Sequence, residues 1–202
     1  MNKYLIFLIA FFSGLLGVFA FAPFDCWPLA YVSLLGLLWV AKQTQKSVAF
    51  IGAFMWSMGF FCFGVSWLNV SIHQFGGASL IVSYLLVGLL SAYLSLYPLL
   101  FVYLIRRFRI RSAVIFAVCW TITEFFRGWL FTGFPWLQFG YTQLDSPFSG
   151  LAPFFGVTGL TFFTVWGAAT LYNVLMALRN KQSNVVGFSL LLLLIIGGLS
   201  AY

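Results

Sequence analysis

Residues 120–159 read WTITEFFRGWLFTGFPWLQFGYTQLDSPFSGLAPFFGVTG. The stretch continues an apolar run that starts near residue 112 and is long enough to lie in a membrane. It then carries a carboxylate (Glu124), a guanidinium (Arg127), the rings of Trp120, Trp129, Trp136 and Tyr141, the chain-breaking Gly133, Pro135 and Gly140, and Asp145. A segment that only has to cross lipid carries almost none of these. Charge at membrane depth is expensive, and a broken helix frees backbone groups that lipid cannot satisfy. The stretch therefore points to a membrane protein that handles lipid or performs chemistry, not to an inert anchor.

Composition extends this reading to the whole chain. Of the 202 residues 63% are hydrophobic and 6% charged, and the mean hydropathy is +1.05. These values exclude a soluble globular domain and predict an all-α polytopic membrane protein in which one membrane domain fills residues 1–202. The net charge of +7 suggests nucleic acid in a soluble protein, but here the cations fall between apolar runs, the pattern that orients membrane proteins. No nucleic-acid partner is expected. Cys26, Cys62 and Cys119 form no CxxC pair and no His/Cys cluster, so neither a disulfide framework nor a metal site is expected, and no cofactor. Each cysteine reads as a small apolar residue of a helix.

At about 20 residues per span, seven apolar runs stand out: 4–22, 27–41, 48–68, 80–105, 112–131, 157–178 and 185–202. The first, with Lys3 before it and Ala20-Phe21-Ala22 after it, imitates a cleaved signal peptide. Pro23 directly after that site and the spans that follow favour a retained first helix. The second run is short, and a tilted or re-entrant segment is the alternative to a full crossing. Charge placement favours crossing. With a cytoplasmic N-terminus and seven crossings, nine of the ten Lys and Arg residues are cytoplasmic, and only Arg127 lies toward the other side. Asp25, Glu124 and Asp145 fall on or near the outer side, and the C-terminus is expected there too, in the periplasm.

Glu124 and Arg127 are three residues apart, so on a helix they share a face and can pair. The pair either fixes the outer end of the fifth run or marks a function. Residues 133–141 (GFPWLQFGY) cannot form a continuous helix, because Pro135 lacks a donor and the glycines permit unusual turns. The stretch is either an interfacial aromatic belt with a turn or the wall of a headgroup or acyl-chain site. His73 has no Ser, Cys or Asp partner at recognisable spacing, and Asp25 reads as a turn or cap. Ser13 and Gly17, one turn apart, read as helix-contact positions. The basic loop RRFRIR at 106–111 is adequately explained by attraction to anionic lipid. There is no GxSxG, HExxH or P-loop, and the residues on their own form no complete catalytic constellation. A small-solute transporter is disfavoured because no matched pair of Gly/Pro-broken helices occurs in two halves.

Four stretches carry a family resemblance: FAPFDCWPL at 21–29, SWLNVSIHQFGG at 66–77, AYLSLY at 92–97 and TEFFRGWLFTGFPWLQFGYTQLDSPFSGLAPFFGVTG at 123–159. In this order they resemble the membrane domain of bacterial apolipoprotein N-acyltransferase. The resemblance implies a multi-pass enzyme of the inner (plasma) membrane, active on its periplasmic side. Its partners are then the lipid bilayer, a phospholipid acyl donor and a diacylglyceryl-modified apolipoprotein. A cysteine thiolate attacks the phospholipid ester to give a thioester, which the α-amino group of the diacylglyceryl-cysteine then attacks, completing the last step of lipoprotein maturation.

The resemblance also places the family's Glu-Lys-Cys triad in a nitrilase-like domain after the seventh helix, which is expected beyond residue 202. None of Cys26, Cys62 and Cys119 matches the nucleophile, so no catalytic residue carries over, and residues 1–202 alone are expected to be inactive in acyl transfer. What carries over is the motif of the membrane part. Trp67, Ser71, Glu124, Arg127, Trp129, Phe134, Pro135, Trp136, Gln138, Gly140 and Tyr141 are its candidates for shaping the lipid or substrate cleft. The rival reading is a non-catalytic lipid-binding or scaffold membrane protein derived from the same family.

Overall fold

The structure, a computed structural model, describes residues 2–181. Its regular elements are all helical, with no strand among the described residues: α1 (Lys3–Val18), α2 (Pro28–Ala41), α3 (Lys46–Gly64), the single turn α4 (Leu68–Val70) running into a π-turn (Ser71–Phe75), α5 (Leu80–Leu94), α6 (Leu96–Arg107), α7 (Ala113–Arg127) and α8 (Ala152–Arg179). Short 3₁₀ turns (Leu130–Thr132, Phe139–Gln143 and Ser149–Leu151) occupy the link between α7 and α8. The first six apolar runs each correspond to helix; the run 185–202 and the side on which the chain ends lie outside the described residues.

Three helical stretches are long and apolar enough to cross a membrane: Lys46–Gly64, Leu80–Arg107 and Ser149–Arg179. α1 and α2 are apolar but shorter; the 14 residues of α2 reach only about 21 Å at 1.5 Å per residue. The stretch Leu80–Arg107 breaks at Ser95 for a local reason. Pro98 has no N–H to offer the Leu94 carbonyl four residues back, and its ring crowds that carbonyl. Ser95 eases the joint by donating its hydroxyl to Ser91 O at 2.7 Å.

Side chains are distributed as lipid, not water, would have it. Leu5, Leu8 and Phe12 on α1 and Ile81, Leu85 and Leu89 on α5 are exposed, whereas Ser13, Ser33, Ser57, Ser83, Ser91 and Ser95 are buried. Small residues let helix backbones approach in membranes. The closest such approach joins α1 to α3. A Cβ on Gly14 would strike the Trp56 carbonyl, and one on Gly59 would strike the Phe11 carbonyl. Ser13 and Gly17 are helix-contact positions as expected, for Ser13 meets Gly36 and Gly17 meets Ser33, both on α2. α1 is thus packed into the bundle on two sides. Of the cysteines, Cys62 and Cys119 lie half-buried in α3 and α7, but Cys26 is exposed in the turn between α1 and α2. The reading of Cys26 as a helix residue is thereby corrected: it falls in the gap between the runs 4–22 and 27–41, where the chain turns through Asp25 at φ +50°.

The cations gather at one end of the bundle. Lys3 lies beside Gln43 and Thr44 of the α2–α3 link, and Lys42, Lys46, Arg106, Arg107, Arg109 and Arg111 surround one cavity there. Asn173 of α8 reaches Arg111 O, which brings the C-terminal end of α8, with Arg179, to the same end. Arg127 and the α7–α8 link sit at the opposite end of α7.

Candidate functional site

At that opposite end an aromatic core supports the link. Trp56 stacks on Phe60 (5.1 Å between centroids, 17°), Phe60 on Phe139 (5.3 Å, 11°), and Trp120 meets Phe139 edge-on at 5.7 Å. Trp56 also donates its indole N–H to Ser33 O at 2.9 Å, which satisfies the buried polar tip. Phe139 is fully buried and pins the middle of the broken segment to the bundle.

The rest of that segment is held by charge. Glu124 and Arg127 are both buried, at 4% and 3% exposure, and pair at 3.6 Å. Arg127 turns its guanidinium onto backbone: it donates to Phe134 O at 3.1 Å, to Trp136 O, and to Leu137 O at 3.3 Å. Glu124 accepts from Phe139 N at 3.1 Å and from the Thr161 hydroxyl of α8 at 2.9 Å. Thr161 in turn accepts from Gly140 N at 2.9 Å. Phe134 N donates back to Arg127 O at 2.8 Å. The groups freed by Pro135 and the glycines are therefore satisfied by one carboxylate, one guanidinium and one hydroxyl, as non-helical backbone buried away from water requires. Arg127 also lies over the Phe61 ring, at 5.6 Å. The cavity beside the pair is only about 10 Å³, too small for substrate, so the pair works through the loop it holds.

Two glycines in this region act through geometry. Gly133 has φ +80° and sits against the Gly128 carbonyl, and Gly140 sits against the Val157 carbonyl, leaving no room for a Cβ at either.

What the clamp presents outward is a groove of about 540 Å³, within the ordinary range of ligand pockets. Four of the sequence candidates line it: Trp67, Pro135, Trp136 and Tyr141. Trp67 and Trp136 face each other at 6.0 Å, bringing together residues almost seventy positions apart. Phe21, Asp25, Gly64, Leu137 and Leu144 complete the walls. Phe134 backs Trp136 at 5.1 Å, and Gly140 is buried beneath. Gln138 is half-buried near Gly128. Ser71, on the exposed π-turn, and Trp129, 71% exposed, lie outside the groove. His73 is also exposed and uses Nδ1 on Ala78 O at 2.7 Å. Among the described residues no group of His, Cys, Asp or Glu could hold a metal ion.

Sequence reasoning did not single out Thr161, Leu137, Leu144 or Phe21. Thr161 lies in an apolar run where a threonine is unremarkable, and the other three are apolar residues that matter by position alone. A buried ion pair next to a proline was the one readable signal that backbone carbonyls needed a donor.

Fold and site together define a helical protein with membrane-length spans that carries, at one end of its bundle, a broken aromatic segment clamped over a groove. Residues 13–170 match the family model of the apolipoprotein N-acyltransferase N-terminal domain. Over its whole length the chain is 70% identical to an apolipoprotein N-acyltransferase of Haemophilus influenzae and 60% identical to one of Pasteurella multocida. It is 42% identical, over 81% of its length, to one of Vibrio cholerae. The chain belongs to the apolipoprotein N-acyltransferase family. It spans 39% of the length of the first two relatives and 34% of the third.

Proposed function

We propose that this chain is the membrane part of an enzyme that moves an acyl chain from a phospholipid to the N-terminal diacylglyceryl-cysteine of lipoproteins, in the inner membrane and facing the periplasm. Within it, the groove between Trp67 and Trp136 holds phospholipid or acylated substrate. The observation that carries this reading is the groove itself, apolar on most sides, edged by Asp25 and Tyr141 and built on a segment whose shape the buried Glu124–Arg127 pair fixes. Trp and Tyr rings with polar tips suit the headgroup level of a bilayer, and an apolar cleft running inward from them suits a chain. Seven crossings with a cytoplasmic N-terminus fit the gathering of cations at the far end.

The bond-breaking thiol is none of Cys26, Cys62 and Cys119, and residues 1–202 as a separate polypeptide are expected to hold phospholipid without transferring its acyl chain. The test is acyl transfer from phospholipid to a diacylglyceryl lipopeptide, measured with the gene's whole product and with residues 1–202. Transfer by the whole product should fall about tenfold in Trp136→Ala, which corresponds to ~1.4 kcal/mol of lost binding or positioning. Unchanged transfer in Trp136→Ala would remove the groove from the reaction. A thioester adduct on any of the three cysteines would overturn the assignment of the nucleophile. A non-catalytic lipid-binding role is favoured only if the whole product binds phospholipid and transfers nothing.

A further inference from the structure

The cavity at the cationic end measures about 730 Å³, larger than the groove, and Lys42, Lys46, Arg106, Arg107, Arg109 and Arg111 all line it. Orientation by positive charge requires only that cations lie on one side of the membrane; it does not require them to converge. Here tertiary bonds make them converge. Lys42 donates to Ile110 O at 2.8 Å, and Arg106 donates to Ala41 O at 2.8 Å and Gln43 O at 2.7 Å. These bonds tie the α2–α3 link to the α6–α7 link as two walls of one cavity. Phe50, Tyr103 and Ile105 supply an apolar side.

Among the described residues no carboxylate side chain faces this charge. There are three carboxylates in all: Glu124 is buried beside Arg127, Asp25 lines the groove at the other end, and Asp145 follows Leu144 of that same groove. Burial, reinforced by Arg111 and Arg106, holds the Lys42 ammonium below the usual lysine range. Arg109 adds an independent sign. It has φ +51° and follows the C-cap of α6, where Ile110 N closes onto Ile105 O at 2.9 Å. Glycine normally takes such a position; an arginine kept there at conformational cost is a strained residue of the kind that clusters at ligand sites.

We infer that this cavity is a site for a phosphate whose charge no neighbouring ammonium neutralises, that of an anionic lipid headgroup or a free phosphate, separate from the groove at the opposite end. Arginine forks match phosphate oxygens, and the apolar wall suits the glycerol and first methylenes of a lipid.

The experiment is native mass spectrometry of the full chain in a neutral detergent with phosphatidylglycerol, phosphatidylcholine and inorganic phosphate. Wild type should retain phosphatidylglycerol over phosphatidylcholine. Arg109→Gly should lower that preference about tenfold, the worth of one charge-assisted contact, while the relieved turn makes the protein more heat-stable, so misfolding cannot explain the loss. The Arg109→Gln/Arg111→Gln double variant should lower it further. Lys3→Gln/Arg179→Gln removes as much charge from the same end outside the cavity and should leave the preference intact. Trp136→Ala should affect both lipids alike, which separates this site from the groove. Displacement of phosphatidylglycerol by millimolar inorganic phosphate would assign the site to soluble phosphate, and resistance to displacement to the lipid headgroup; either outcome upholds phosphate recognition. Equal binding of the two lipids by wild type together with no retention of inorganic phosphate, an unchanged preference in Arg109→Gly, or an equal loss in Lys3→Gln/Arg179→Gln would overturn it.

Discussion

Arg127 offers five N–H donors in a rigid fork and places them on the carbonyls of Phe134, Trp136 and Leu137 as well as toward Glu124. That division of labour makes a specific expectation. An isolated buried ion pair can often be replaced by apolar residues at little cost, whereas removal of one partner costs about 3–5 kcal/mol. Here Arg127→Met should cost that much, and the double variant Glu124→Leu/Arg127→Met should not recover it. Three carbonyls and the Phe139 N–H stay unpaired in the double variant, at about 1–3 kcal/mol each. Thermal unfolding in detergent checks this; recovery to near wild-type stability in the double variant would mean that the residues serve only each other. The three-residue spacing made the pair legible from sequence. Its carbonyl partners were not, because they depend on how the chain folds back after Gly133, which no periodicity encodes.

At the scale of elements, six apolar runs were legible as helices because each is a long apolar stretch bounded by polar or chain-breaking residues, but the run 80–105 reads as one span and its break at Ser95 was not foreseen. Which helices touch most closely was partly legible, through Ser13 and Gly17. The α1–α3 crossing at Gly14 and Gly59 needed the structure, since nothing in sequence pairs a glycine with a carbonyl forty-odd positions away. Gly59→Leu should push α1 off α3 and cost about 1–3 kcal/mol or more as an overpacked contact. Gly88→Leu on α5, where nothing lies within 4 Å, should be neutral. Melting temperatures of the two variants in the same detergent decide it; equal stability would contradict the close crossing.

For the whole molecule, charge placement alone gave the proposed orientation, and the structure brings those charges to one end. The shape of each end was beyond the sequence. The basic cavity depends on bonds such as Lys42 to Ile110, 68 positions apart, and the groove on Trp67 meeting Trp136. The exposed Cys26, in the turn next to the groove residue Asp25, reports the orientation directly. In intact cells a maleimide that passes the outer but not the inner membrane should label Cys26, whereas Gln43→Cys in a Cys26→Ser background should be labelled only after the inner membrane is opened. The reverse pattern would invert the proposed topology.

A phospholipid held in the groove built by the Glu124–Arg127 clamp, as proposed, should react with the residues that line it. The most direct test is photo-crosslinking with a phospholipid carrying a diazirine on its acyl chain, in neutral detergent, with unmodified phospholipid as competitor and peptide mapping as readout. We expect competitor-sensitive labelling of residues 64–67 and 135–144, lost in Arg127→Met while the rest of the bundle stays folded. Labelling spread evenly over the exposed faces of α1 and α5, indifferent to competitor and unchanged in Arg127→Met, would contradict it.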